Sequence, residues 1–396
     1  MITRAYSPWL SLKYGCNPHQ VPAGVYVQEG LPPPFRVLNG NPGYINLLDA
    51  LNAWQLVAEL RAALNLPAAA SFKHVSPAGA AVAVPLSSEL QEVYEVAGKA
   101  LSPGAIAYVR ARGADPKSSF GDFAAFSDPV DESCAELLRT EVSDGVIAPG
   151  YEGNALNILK SKKGGGYVVL QADPGYRAPQ EELKEVCGVA FLQRRNDAVL
   201  GPRHLENRPT ASKHLPPEAQ RDLLLAAITV KYTQSNSVGY ALDGQMIGVG
   251  AGQQSRVDCT RLAGRKAEIW YLRQHPRVRS LPFSPELKRV DRTNARVRFI
   301  EGDFTPPEYK QWAAQFTAPP APLSAQEQQD WLARLGGVAI ASDAFFPFRD
   351  NIDQAAKRGV RYVVQPGGSV ADSEVIHACN EYGMIMAFSG LRLFHH

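Results

Sequence analysis

The chain has 396 residues, too many for one compact core, which predicts two or three domains. Apolar residues make up 45% and charged residues 20%, the make-up of a soluble globular protein. A net charge of +2 without a block of lysine or arginine argues against nucleic acid or a membrane as the main partner, yet leaves room for a small anionic ligand. Leu47, Leu48, Leu51, Trp54, Val57, Leu60 and Leu64 recur at helical spacing and predict an amphipathic helix over 44–64. Ala68 to Phe72 reads as a buried strand. In Lys73-His74-Val75-Ser76-Pro77, Ser76 suits an N-cap and Pro77 the first helical position, so a helix is predicted to begin there. Gly164-Gly165-Gly166 is a turn and Tyr167 to Ala172 a strand.

Residues 179–222 are rich in proline and charge and read as an inserted segment. Met246 to Val249 is a strand running into Gly250-Ala251-Gly252, with a helix expected near Gln253. Residues 305–330, rich in proline, alanine and glutamine, read as a connecting region. Strand Val338–Ala341, helix Asp350–Arg358, strand Tyr362–Gln365, helix Asp372–Tyr382 and strand Ile385–Phe388 then alternate, the pattern of a parallel sheet with right-handed crossovers. Ligands in such sheets bind beyond the carboxyl ends of the strands. Residues 342–348, 366–369 and 389–396 lie there.

The five cysteines are scattered and odd in number, which disfavours a disulfide framework. No C-x-x-C occurs and no two histidines stand at helical ligand spacing, so a zinc site is not expected. The N-terminus has no apolar core for a signal peptide, and no run approaches the roughly 20 apolar residues of a membrane helix. A reducing cytoplasm is the expected compartment.

Gly248-Val249-Gly250-Ala251-Gly252 resembles part of a dinucleotide loop, but the third glycine of G-x-G-x-x-G falls on Gln253. A tight strand-to-helix turn fits better, with Arg256 in the first helical turn where an anion is favoured. Lys73-His74 allows two readings, a structural pair or a reactive one. H-x-E occurs once, at His204-Leu205-Glu206, without the P-C-x-x-C that a zinc deaminase needs after it, and the G-x-S-x-G elbow of a serine hydrolase is absent from the sequence. Phe345, Phe346 and Phe348 suit a core or a wall for a flat ring.

Six segments together resemble the AICAR transformylase portion of the bifunctional purine-biosynthesis enzyme. They are Tyr14-Gly15-Cys16-Asn17-Pro18-His19-Gln20, Ser71 to Gly79, Lys231-Tyr232-Thr233-Gln234-Ser235-Asn236-Ser237, Gly250 to Arg256, Ser342 to Asn351, and Leu391-Arg392-Leu393-Phe394-His395-His396. The resemblance implies an α/β fold of duplicated cytidine-deaminase-like α/β/α units with a small inserted segment. The units would be 1–178 and 223–396, with the insert at 179–222. It also implies a homodimer with active sites at the subunit interface.

By the same resemblance Lys73, His74 and Asn236 are catalytic. Lys13, Tyr14, Gly150, Asp173, Arg256, Phe345 and Arg392 surround AICAR. Val257, Phe348, Asp350, Ser369 and Val370 line the folate side, where 10-formyltetrahydrofolate is the co-substrate. Thr233, Ser235, Ser237, Asp343, Leu393 and His395 resemble a potassium site. Lys13 stands where the family usually has arginine, which keeps the charge and loses the bidentate fork. The family's cyclohydrolase domain does not precede the first motif, so formyl transfer without ring closure is expected. The amine of AICAR is conjugated to its ring and is a poor nucleophile. Transfer therefore needs a base and charge stabilisation: His74 as proton acceptor, Lys73 as electrostatic stabiliser, Asn236 as orienter. The alternatives are a non-catalytic nucleotide-binding protein and a related formyltransferase with a modified ribotide.

Overall fold

The computed structural model describes residues 3–396. Its centre is one sheet of eleven strands with helices on both faces. The first half contributes β3 (Phe35–Asn39), β4 (Ala68–Lys73), β5 (Ser76–Val82), β6 (Asp122–Phe126), β7 (Ser143–Ala148) and β8 (Val168–Ala172). The second contributes β11 (Val238–Leu242), β12 (Gln245–Gly250), β13 (Val338–Ser342), β14 (Val360–Gln365) and β15 (Ile385–Phe388). The order across the sheet is β15-β14-β13-β11-β12-β5-β4-β6-β7-β8-β3. Two ribbons stand apart: β1 (Tyr6–Leu12) with β2 (Ala23–Gln28), and β9 (Glu181–Val186) with β10 (Val189–Arg194).

The central strands are apolar on both sides because both sides are covered. Alternate residues feed two cores, as the two-residue period of a strand requires. Ala69, Ala124, Phe126, Val146, Ile340 and Val363 face helices 103–114, 132–140 and 256–272. Ala70, Phe72, Ala125, Ile147, Ala339 and Val364 face helices 44–64 and 217–231.

The halves repeat one arrangement. In each, a helix leads to an antiparallel hairpin (β4–β5 or β11–β12), then a helix, then three parallel strands joined by helices. The hairpins meet antiparallel at the seam, where Gln245 of β12 pairs with Ala81 of β5. The halves therefore run in opposite directions. The carboxyl ends of β12 to β15 share one edge of the sheet with the end of β4. The carboxyl ends of β6, β7 and β8 form the other edge.

One close contact recurs in both halves. A Cβ on Gly79 of β5 would lie 2.1 Å from the Ala111 carbonyl of helix 103–114. A Cβ on Gly248 of β12 would lie 2.1 Å from the Ala263 carbonyl of helix 256–272. Only glycine lets these helices approach so closely. The glycine run at 248–252 thus serves helix packing, in keeping with the absent dinucleotide motif.

Helix 44–64 spans the expected residues, and its buried stripe is Leu47, Asp49, Ala50, Ala53, Leu56, Val57, Glu59 and Leu60. The last sixty residues form the expected parallel strands and helices. Residues 76–82 do not begin a helix; they are strand β5. Pro77 is tolerated because it lies opposite Phe72 at a bulge in the β4–β5 ladder, and β12 pairs with β5 only at Ala81. Residues 305–330 are not a mere connection. Helices Arg289–Glu301, Pro306–Ala313 and Ala325–Leu332 close over Val278, Phe299, Trp312, Phe316 and Leu323. Pro306 and Pro307 begin one of these helices, after the capping-box residue Thr305.

In 179–222, the β9–β10 ribbon is exposed throughout. The following stretch covers the open edge of β15: Phe388 N–H donates to Asn207 O and Met386 N–H to Thr210 Oγ1. Helix Pro217–Lys231 follows.

Two equivalent helices are tied by a buried ion pair. Lys231 Nζ donates to Glu59 Oε2 at 2.6 Å, and Tyr232 Oη donates to the same oxygen at 2.8 Å. Removing one partner strands a buried charge, which costs about 3–5 kcal/mol. Lys231→Ala should therefore lose about that much stability in chemical denaturation, and Lys231→Met with Glu59→Leu should recover much of it.

Candidate functional site

Lys73 ends β4, and the chain reverses over His74 and Val75 into β5. Both turn residues have positive φ, 51° and 61°. A two-residue hairpin turn of this kind prefers Asn-Gly, and a β-branched residue there is strained. The strain is held from below. Asp49, buried on helix 44–64, accepts the Val75 N–H at 2.6 Å. Burial pushes the Asp49 carboxyl up to about 6, against the pull of that N–H and of His74 and Lys73. Lys73 Nζ donates to the Gly121 carbonyl at 2.8 Å. His74 is exposed. The chain thus leaves strand geometry where the two side chains must serve one site.

The second half meets this turn across the seam. Gln234 N–H donates to Ser76 Oγ at 3.3 Å. Two residues on, Asn236 Nδ2 donates to the carbonyls of Gln253 (2.8 Å) and Gln254 (3.1 Å). Its Oδ1 accepts Arg256 Nη2 at 2.5 Å. Lys73, His74 and Asn236 therefore gather at one edge of the sheet.

Arg256 is not an open fork awaiting phosphate. Its side chain is 6% exposed, and Nη1 meets Asp343 Oδ1 at 2.5 Å and Ser342 Oγ at 2.7 Å. Its guanidinium is enclosed with Asp343, also buried, for which it is the one ion-pair partner among the described residues. Val257 follows in the same helical turn.

Beyond the ends of β13 and β14 lies an apolar wall. Phe345, Phe348 and Val370 are exposed, whereas Phe346 is fully buried in the core. Asp350 begins helix 350–356 and accepts Asn351 Nδ2 at 2.8 Å. Gly368 N–H and Ser369 N–H both donate to Asp372 Oδ2. Arg392 lies exposed, its guanidinium 4.9 Å from the centre of the Phe394 ring.

Gly150 and Asp173 are elsewhere. They follow β7 and β8, at the opposite edge of the sheet, beside Arg36, Pro149 and Gln171. The six residues of β7 separate the edges by roughly 20 Å. Lys13 and Tyr14 are exposed just after β1, whose Trp9 packs on Phe35 at 4.6 Å. One chain therefore splits the expected nucleotide contacts between two edges.

The oxygen cluster does assemble. Asp343 Oδ2 accepts Ser235 Oγ (2.5 Å) and Ser237 N–H (3.0 Å). Ser235 N–H donates to His395 O, His395 N–H to Ser235 Oγ, and Leu393 N–H to Asp343 O. Thr233 is buried alongside, its hydroxyl donating to Thr229 O. Among the described residues no three His, Cys, Asp or Glu side chains gather as metal ligands.

Sequence reading missed Asp49, Gly121 and Ser76. Asp49 carried a signal: it shares the helical stripe of Ala53, Leu56 and Leu60, where an unpaired carboxylate is out of place. Gly121 and Ser76 carried none, since their roles depend on contacts 48 and 158 residues away.

Residues 2–266 match the family described as the AICARFT/IMPCHase bienzyme. The bifunctional purine biosynthesis protein PurH of Elusimicrobium minutum is 32% identical over 388 residues, 97% of this chain and 58% of that protein. PurH of Magnetococcus marinus is 33% identical over 393 residues, 97% of this chain and 59% of that protein. The chain thus spans about three-fifths of the length of these relatives. Both the matched region and the relatives cover the Lys73-His74 turn and its supports, and the chain belongs to the AICARFT/IMPCHase bienzyme family.

Proposed function

We propose that this chain transfers the formyl group of 10-formyltetrahydrofolate to the 5-amino group of AICAR, giving formyl-AICAR and tetrahydrofolate in purine biosynthesis. The observation that carries the reading is the convergence of Lys73, His74 and Asn236 at one edge, beside an exposed aromatic wall. The amine nitrogen attacks the formyl carbon, and its proton passes to His74. The bond from carbon to the folate nitrogen breaks, and that nitrogen takes a proton. Lys73, held by Gly121, offsets the negative charge that develops on the formyl oxygen. Asn236, fixed on both sides of its amide, orients the ribotide. Arg256 acts through Asn236 and Asp343 as a positioning group. Phe345 and Arg392 complete the ribotide pocket, and Val257, Phe348, Asp350, Ser369 and Val370 form the folate side. A cytoplasmic enzyme of two cytidine-deaminase-like units, 1–178 and 223–396 around the 179–222 insert, is consistent with the repeated halves.

The oxygen cluster suits a monovalent cation such as potassium. The hydroxyls of Thr233, Ser235 and Ser237 each give their proton to a protein acceptor, leaving lone pairs as what they can offer. Arg256 already meets the Asp343 charge, so a divalent ion would be poorly compensated. When bound, the cation would tie the 233–237 loop to Leu393 and His395, steadying Asn236.

Because Gly150 and Asp173 stand at the opposite edge of the sheet from Lys73, we take the working form to be a homodimer. Each site would join the Lys73 edge of one copy to the far edge of the other.

Tetrahydrofolate release from AICAR and 10-formyltetrahydrofolate tests the reading directly; absence of AICAR-dependent release by the folded protein would refute it. His74→Ala should lower kcat by about 10²–10⁴-fold while AICAR still binds. Gly121→Ala should also lower kcat, since the new Cβ would meet Lys73 Nζ at 3.0 Å and Gly121 has φ +72°. A folded His74→Ala protein with normal turnover would sink the mechanism.

The dimer is checked by complementation. Lys73→Ala and Asp173→Ala should each be nearly inactive alone. An equimolar, re-equilibrated mixture should regain about a quarter of wild-type activity, because half the dimers are mixed and each restores one of two sites. No recovery in a mixture shown to exchange subunits would rule out the shared site.

A further inference from the structure

Asp49 takes no part in the scheme above, yet its carboxyl holds the amide of Val75, the residue next to His74 in the turn. It is 4% exposed, on the buried stripe of helix 44–64, and its one hydrogen bond in the structure is to the Val75 amide at 2.6 Å. The turn it holds consists of two residues in left-handed conformations. A turn of His and Val has little intrinsic reason to stay there. The acceptor beneath Val75 fixes the turn, and with it the direction in which His74 leaves the backbone.

The charges around Asp49 make a second argument. The groups that face it are His74 and Lys73, which attract it, and Asp144, which repels it. Before reaction the turn carries one cation, the Lys73 ammonium. When His74 accepts the amine proton, two cations stand on consecutive residues. Like charges so close oppose that proton transfer. A carboxylate beneath the turn reverses the balance.

We infer that Asp49 is a positioning residue for the formyl transfer: it orients His74 through the Val75 amide and supplies the negative charge against which the imidazolium forms. The inference rests on the transfer reading above and deepens it. The proton still travels from the amine to His74; Asp49 neither gives nor takes one. Its carboxyl, raised by burial to about 6, is ionised at neutral pH and becomes protonated as the medium is acidified. Holding it ionised works against folding. A carboxyl whose value is raised on folding favours the fold below its unfolded range, and that stability is lost as pH rises through about 6.

Asp49→Asn separates the two contributions, because its amide oxygen can still accept from Val75 while the charge is gone. The expected result is a kcat lower by about 10²-fold, a near-normal KM for AICAR, and an acid limb of the kcat profile moved to lower pH. The limb moves because the wild-type carboxyl, raised by burial to about 6, gains a proton as the medium is acidified, whereas the amide of the variant has nothing to protonate there. The variant should melt no lower than wild type at pH 8, and the gap should shrink toward pH 4. Asp49→Glu keeps the charge but displaces it, so it should lose kcat while keeping the limb nearer its wild-type position. Asp49→Ala loses both contributions and should be the slowest of the three. A folded Asp49→Asn protein with wild-type kcat and an unmoved acid limb overturns the assignment. If wild type releases no tetrahydrofolate, the transfer reading fails and takes this assignment with it. If wild type is active and the variants match it, only the role of Asp49 fails.

Discussion

The edge that gathers Lys73, His74 and Asn236 depends on one buried carboxylate. Asp343 is fully enclosed, and a charge in that position must be paired and hydrogen-bonded. Satisfying it recruits two other pieces of chain: Arg256 from the start of a long helix, and Ser235 and Ser237 from the loop before β11. The C-terminal segment joins through Leu393, whose N–H donates to the Asp343 backbone carbonyl. Asn236 lies between two of those anchors and receives the other end of the Arg256 guanidinium. Its orientation is therefore a by-product of neutralising Asp343. Replacing Asp343 would disturb the loop, the helix start and the C-terminal segment together.

The first half reaches the same edge by different means. Its reactive pair sits on a hairpin tip, held by Asp49 below and Gly121 beside it. The contact between the Gln234 amide and Ser76 is the stitch that brings the tip to the Asp343 cluster. Neither half carries the whole constellation, so the antiparallel seam between β5 and β12 is a condition for the site as well as for the fold.

The parts of this molecule that could be read from sequence are those governed by short-range period. Helix 44–64 and the alternating elements after Val338 repeat their apolar residues at the spacing their geometry requires. Lys73-His74 and the residues of the oxygen cluster and the aromatic wall stood out through the strings they belong to. Strand β5 was hidden because Ser76-Pro77 imitates a helix start, and the reason for a strand is the approach of Ala111 to Gly79, a contact made only in the folded chain. The helices between 306 and 332 were hidden because proline, alanine and glutamine dominate a stretch whose few large apolar residues join a separate core. Arg256 was read as facing a ligand because a cation at a helix start is unfavourable alone; its partner is 87 residues away. Nor does periodicity encode direction, so the split of Gly150 and Asp173 from the catalytic edge emerged only with the sheet order.

The opposed direction of the two halves also shapes the field around the molecule. Helices 256–272, 350–356 and 372–381 begin at the catalytic edge, while helices 103–114, 132–140 and 155–161 begin at the other. Each helix carries a partial positive charge at its start and a negative one at its end. Had the halves run the same way, these dipoles would have summed across the sheet and made one edge positive and the other negative. Head-to-tail opposition cancels that sum, leaving a quadrupole: both edges present positive helix starts from one half beside negative helix ends from the other. At long range such a field decays faster than a dipole's. An approaching anion would therefore feel the local charges of an edge, and little pull from the molecule as a whole.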